Sequence, residues 1–198
     1  MSFTTINFAV FMAVVFLAYY LLPRKAQPYI LLIASYIFYG FASIMGLYFL
    51  LGITVITYLG GYLIAGVNDK ETVALSVPDL DKPQKKEIKS LYQSKRKTIV
   101  IWTVVLLVAI VVGFKYTNFL IGNFYVIARL FGSSATFDSL SIILPVGLSF
   151  YTFQSMGYVI DVYRGTAEAE KNFLHYALFV GYFPQLLQGP LGDYNRLS

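Results

Sequence analysis

An all-α, polytopic integral membrane protein is the fold class this sequence predicts, with broken or re-entrant helices lining a tunnel or funnel. Three observations predict it. Apolar residues fill 58% of the 198 positions and charged residues only 13%, against about 45–50% and about 25% in a soluble domain. Uncharged runs near the roughly 20 residues that cross a bilayer recur along the chain, and the mean hydropathy is +0.66. In the last third these runs are interrupted by proline and glycine beside amide side chains. Such a chain cannot cover itself with polar surface, and its composition excludes disorder. With no cysteine there is no disulfide framework, thiol nucleophile or Cys-based metal site. The single histidine, His175, leaves little for a His-based metal site, and no metal is expected.

The first apolar run covers 6–22 and ends at Pro23-Arg24-Lys25. Nothing basic precedes it and no small-residue cleavage site follows, so it reads as a retained anchor. The second, 29–41, is short and led in by Pro28; it must tilt, thin the bilayer or cross only in part. The third, 44–66, is the clearest span. Thr57, Gly61 and Ala65 recur there every fourth position, which places small residues on one face for close helix packing. Residues 67–97 read as a basic loop, within which 83–97 has the pattern of a polar helix lying on the membrane surface. A fourth span begins at 98–113, with Trp102 near its entry. The segment 114–131 mixes Lys115, Asn118, Asn123 and Arg129 with apolar residues and fits either a helix extension or an interfacial helix. Residues 132–141 form a loop. The chain thus divides into 1–66, N-terminal transmembrane helices; 67–97, the basic loop; and 98–198, further transmembrane or interfacial helices.

The net charge of +5 does not point to nucleic acid. Eight of the fifteen basic residues lie between Lys70 and Lys97, flanking apolar spans, as in a cytoplasmic loop facing an anionic leaflet. Placing that loop inside also brings Arg24 and Lys25 inside and leaves the uncharged N-terminus outside. Two basic clusters agree on one multi-pass topology.

The run 142–163 carries Pro145 and Gly147 near its start, then Gln154 and Asp161. The run 173–191 carries Gly181, Pro184, Gly189 and Pro190, with Gln185 and Gln188 between them. Proline breaks the helical ladder, and freed backbone groups at membrane depth persist only against protein or a water-filled cavity. Gln154, Tyr158 and Asp161 stand at i, i+4 and i+7 and share a helix face. Either they form a polar wall of a tunnel, or Asp161 pairs with Arg164 three residues on and fixes the helix end; the pair is the favoured role for Arg164. Gln185 and Gln188 share a face beside a break, placed to bond a loop backbone or a ligand. His175 opens the last apolar segment without an acidic neighbour and reads as interfacial packing. There is no G-x-S-x-G elbow, P-loop, GxGxxG or H-E-x-x-H pattern, and no complete catalytic set.

The run 144–154, LPVGLSFYTFQ, followed by 157–165, GYVIDVYRG, resembles the membrane-bound O-acyltransferase family. So does 183–191, FPQLLQGPL, which is similar to the family's F-P-x-L-x-x-G-P-I pattern, and Ser35 to Gly40 (SYIFYG) fits as well. The resemblance covers essentially the whole chain and is nearest to the bacterial branch of alginate and peptidoglycan O-acetylation and teichoic acid D-alanylation. It implies a bacterial inner-membrane enzyme that passes an acyl group to hydroxyls of an extracytoplasmic polysaccharide, through a funnel in a ring of helices. It implies an acyl donor, acetyl-CoA or an acyl-carrier type, with no bound cofactor. The implied partners are the lipid bilayer, the polysaccharide acceptor and an extracytoplasmic acyl-transfer protein. The family's catalytic histidine lies downstream of the Gly-Pro-Ile region, and no residue here matches it. His175 precedes the F-P-x-L motif and is not its counterpart. The resemblance therefore implies the N-terminal portion of a longer enzyme, inactive alone, in which Gln154, Tyr158, Asp161, Gln185 and Gln188 are the substrate-proximal candidates. Two alternatives stand beside it: a transporter or translocation subunit, whose expected internal repeat is not seen, and a non-catalytic membrane scaffold.

Overall fold

The computed structural model describes residues 6–77, 81–117, 119, 121–123 and 147–182. Among them every regular element is an α-helix: α1 (Ile6–Leu21), α2 (Gln27–Ala42), α3 (Ile44–Leu75), α4 (Lys82–Lys115), α5 (Leu148–Arg164) and α6 (Phe173–Gly181). Pro145, Pro184, Gln185, Gln188, Gly189 and Pro190 lie outside the described residues, as does the loop 132–141, and 114–131 is only partly described.

Each helix boundary has a local cause. Pro23 and the turn to Ala26, where Ala26 N donates to Pro23 O (2.8 Å), separate α1 from α2. Pro28 sits in the first turn of α2, where its missing N–H is not needed. Ser43 adopts extended backbone and its Oγ accepts from Gly46 N at 3.1 Å, which starts α3. Pro83 occupies the first turn of α4, and Gln84 Oε1 accepts from Asp81 N at 3.1 Å. Gly147 and Gly165 bound α5 with φ of 78° and 75°, a left-handed region in which a Cβ is strained. Asn172 Oδ1 accepts from Leu174 N at 2.9 Å and caps α6.

The segment 67–97 is not a loop. α3 runs on to Leu75 and α4 starts at Lys82, so only a short connection joins them. Nor does the polar stretch 83–97 lie apart on the membrane surface. It is continuous with the apolar span behind it, because no proline or glycine interrupts α4 between Gln84 and Val112. The divisions drawn at 66 and 97 therefore fall inside helices. The uncharged part of α3, 44–67, is about 36 Å long at 1.5 Å per residue, enough for a hydrocarbon core of about 30 Å. Lys82 stands about 24 Å beyond Thr98 along α4. The two helices thus leave the apolar zone together as a projecting stalk. Where they leave it, Arg96 Nη1 bonds Glu71 Oε2 at 2.7 Å and Asn68 Oδ1 at 2.6 Å. This partly shielded pair holds the stalk in register.

α3 is the centre of the bundle. It packs along both α4 and α5, and against α2 and α6, while α1 packs on α2. Two adjacent glycines allow this. A Cβ on Gly60 would stand 3.0 Å from Thr103 Oγ1 of α4, and one on Gly61 would stand 2.9 Å from the Tyr158 ring of α5. The interior holds Leu50, Ile53, Ile64, Leu107, Tyr151, Tyr158, Val159 and Tyr176, all essentially inaccessible. It also holds small polar residues: Thr54, Thr57, Thr103 and Thr152 are buried. Each donates its hydroxyl to a carbonyl one turn back, at 2.7, 2.7, 2.8 and 2.6 Å. That satisfies them without water.

The outside is apolar instead. Phe16, Leu17 and Tyr20 of α1 are exposed, as are Trp102, Val105 and Leu106 of α4. α3 and α4 are each long and apolar enough to cross a membrane. Large apolar side chains outward and self-bonded threonines inward suit a lipid surround.

The glycine contact gives a first prediction. Gly61→Leu forces the Tyr158 ring and α5 away from α3 and should destabilise the protein by about 1–3 kcal/mol. Gly66→Ala, with nothing within 4 Å of its Cβ position, should be near neutral. Thermal unfolding of the two variants in detergent checks both.

Candidate functional site

The contacts sort the bundle into two ends. At one end α2 begins beside α6, with the Tyr29 and His175 rings 6.4 Å apart. The α5–α6 connection is tied to α3 and α5 there: Tyr58 Oη donates to Lys171 O at 2.8 Å, and Tyr158 Oη accepts from Glu170 N at 2.9 Å. α3 runs past this level into the stalk. Arg24, Lys25, Arg164, Lys171 and the stalk's lysines therefore share one end of the molecule. The other end holds the Ser43 turn, the start of α5 at Gly147 and, among the described residues, only Lys115 as a basic group. There Tyr39 meets Tyr151 edge-on at 6.4 Å and Phe49 meets Phe114 at 4.2 Å.

Of the candidates read from the sequence, Gln154, Tyr158 and Asp161 fall on α5. Gln154 is partly buried, and its Nε2 donates to Phe179 O at 3.2 Å, joining α5 to α6. Tyr158 is 2% exposed. Its ring lies between Gly61 and Tyr176, whose centroid is 4.6 Å away, and its hydroxyl anchors Glu170. Asp161 closes the helix end. Its backbone carbonyl accepts from Thr166 N (3.0 Å), Ala167 N (3.3 Å) and Thr166 Oγ1 (3.1 Å), and its Oδ1 lies 3.4 Å from that hydroxyl. The expected Asp161–Arg164 ion pair is not formed. Gly165 turns the chain so that Thr166, and not Arg164, meets the carboxylate. Gln185 and Gln188 lie outside the described residues. His175 is exposed on α6. No group of three His, Asp or Glu side chains suited to a metal occurs among the described residues.

Sequence reading missed the buried hydroxyl network. Tyr176 Oη donates to Thr57 Oγ1 at 2.8 Å, and Thr57 Oγ1 passes its own proton to Ile53 O at 2.7 Å. One turn back on α3 from Thr57, Thr54 has the Tyr36 hydroxyl beside it, and Tyr39 meets Tyr151 of α5. The available signal was a density of tyrosine, 17 in the chain, unusual within apolar runs, where each hydroxyl needs a partner.

An all-helical bundle with an apolar exterior, self-satisfied interior hydroxyls and basic groups gathered at one end is an integral membrane protein. No protein-family model matches the chain, and no solved structure does. Curated relatives do match. The chain is 33% identical over 179 residues to the probable alginate O-acetylase AlgI of Pseudomonas aeruginosa, covering 90% of this chain and 30% of that protein. The corresponding figures for the probable alginate O-acetylase AlgI of Azotobacter vinelandii are 33%, 90% and 31%. It is 27% identical to the peptidoglycan O-acetyltransferase of Helicobacter pylori, covering 94% of this chain and 36% of that protein. The chain spans about a third of the length of these relatives. Along nine-tenths of its length the chain is thus similar to alginate and peptidoglycan O-acetylation proteins.

The tie between Tyr158 and the α5–α6 connection gives a second prediction. Tyr158→Phe removes the acceptor for Glu170 N and should cost about 1 kcal/mol. Backbone amides of 166–172 should then exchange hydrogen faster, as read by mass spectrometry, with little change in α4.

Proposed function

We propose that the protein to which this chain belongs transfers an acetyl group to hydroxyls of an extracytoplasmic polysaccharide. The observation that carries this is the similarity to alginate and peptidoglycan O-acetylating proteins along nine-tenths of the chain. The described part supplies the scaffold: a lipid-facing bundle fixed on α3, with α5 and α6 held against it. Within that scaffold Gln154, Tyr158 and Asp161 position α5 and α6 beside the substrate path; Gln185 and Gln188, outside the described residues, are further substrate-proximal candidates. No chemical step is assigned to any of these residues. The acyl donor, a CoA ester or a carrier-bound acyl group, is approached from the basic end. The protein spans the bacterial inner membrane several times, and an extracytoplasmic partner completes delivery to the polymer.

Orientation in this reading follows the charge. The stalk and the turn at Arg24-Lys25 share one end, and that end is cytoplasmic. Since this chain has no cysteine, a single Ser90→Cys in a cysteine-free full-length protein reports on the stalk. A membrane-impermeant maleimide should label it only after cells are permeabilised. Labelling in intact cells would invert the topology.

Deletion of the gene tests the activity. Ester-linked acetate on the cell-surface polysaccharide, released by mild alkali and quantified, should fall to near zero and return on complementation. Unchanged acetate with altered polymer export would instead favour a translocation role.

A further inference from the structure

Around Thr54 of α3, buried hydroxyl groups stand on three neighbouring helices. Thr54 lies near the middle of the uncharged run of α3. Two turns back from the Gly61–Tyr158 contact, along both helices, stand Thr54 and Tyr151, so the two are level. Tyr151 and Ser155, one turn apart on α5, are both 0% exposed. Tyr39 of α2 meets the Tyr151 ring edge-on, and the Tyr36 hydroxyl lies beside Thr54 without reaching hydrogen-bond geometry to it. Thr54 has already given its proton to Leu50 O. The oxygens of Tyr36, Tyr151 and Ser155 are buried and have no protein partner.

Three such hydroxyl oxygens are unlike the buried hydroxyls of this interior that have protein partners. The other buried hydroxyls among the threonines bond a carbonyl of their own helix, and Tyr176 bonds Thr57. A buried hydroxyl without a partner costs about 1–3 kcal/mol, and hydrocarbon offers no relief. Polar interior sites with two to four hydrogen-bonding groups are where proteins hold ordered water.

We propose that the junction of α2, α3 and α5 is a water-binding site, in which ordered water bridges the buried hydroxyls of Tyr36, Tyr151 and Ser155. The inference goes beyond the acetyl-transfer reading and stands on the burial and chemistry of these three groups alone. The occupant is water because the groups are neutral hydroxyls, each able to donate and accept, with no charge that would select an ion.

The test uses the full-length protein in detergent. Under X-ray radiolysis, hydroxyl radicals form at bound water and label the side chains around it. Tyr151 and Tyr36 should be modified several-fold faster than Tyr176, which is just as inaccessible as Tyr151 but has a protein partner. Equal or slower modification would overturn the proposal. Substitution gives an independent reading by its sign. If water bridges the hydroxyls, Tyr151→Phe and Ser155→Ala each remove a bridged partner and lower the Tm. If the site is dry, each deletes an unsatisfied group and leaves the Tm unchanged or raises it, which sinks the idea. Should either variant fail to accumulate, the wild-type footprint alone decides.

Discussion

Close approach at Gly60 and Gly61 is the constraint on which the rest of this bundle depends. With no side chain at two consecutive positions, α3 presents bare backbone in two directions. Thr103 of α4 fills one and Tyr158 of α5 fills the other. Without water there is no hydrophobic drive to press helices together inside a bilayer; contact must come from dispersion and hydrogen bonding at short range. The glycines make that range possible. Tyr158 then reaches Glu170 and fixes the α5–α6 connection, which fixes where α6 meets α2 and where Tyr176 finds Thr57.

The same solvent explains the distribution of polarity. Threonines line the interior because each can satisfy itself on its own helix, at 2.6–2.8 Å, and remains small enough to sit between helices. Tyrosines are more demanding, since their hydroxyls stand far from their own backbone. Tyr158 and Tyr176 reach partners on other elements. Tyr36 and Tyr151 converge on the junction where water is proposed. Charge is pushed to the ends, and the contacts gather most of it at one end, around the stalk and the turn at Arg24-Lys25.

Much was legible in the sequence. Composition and uncharged run length determined an all-α membrane protein, because a bilayer admits few other solutions for such a chain. The apolar runs located α1, α2 and the start of α3, and the spacing of Thr57 and Gly61 gave the small-residue face of α3. The motifs around LPVGLSFYTFQ and GYVIDVYRG pointed to the family that the relatives then bore out. Only the tertiary structure decided the rest. It carried most of a basic segment that charge alone presents as a loop into the ends of two long helices, α3 and α4, since helix continuity depends on the absence of a breaker and on the packing of the two against each other. It set Thr166 and not Arg164 against Asp161, because the left-handed turn at Gly165 redirects the chain after one helical end. And it brought Tyr39 of α2 against Tyr151 of α5, a meeting of residues more than a hundred positions apart that no local pattern encodes.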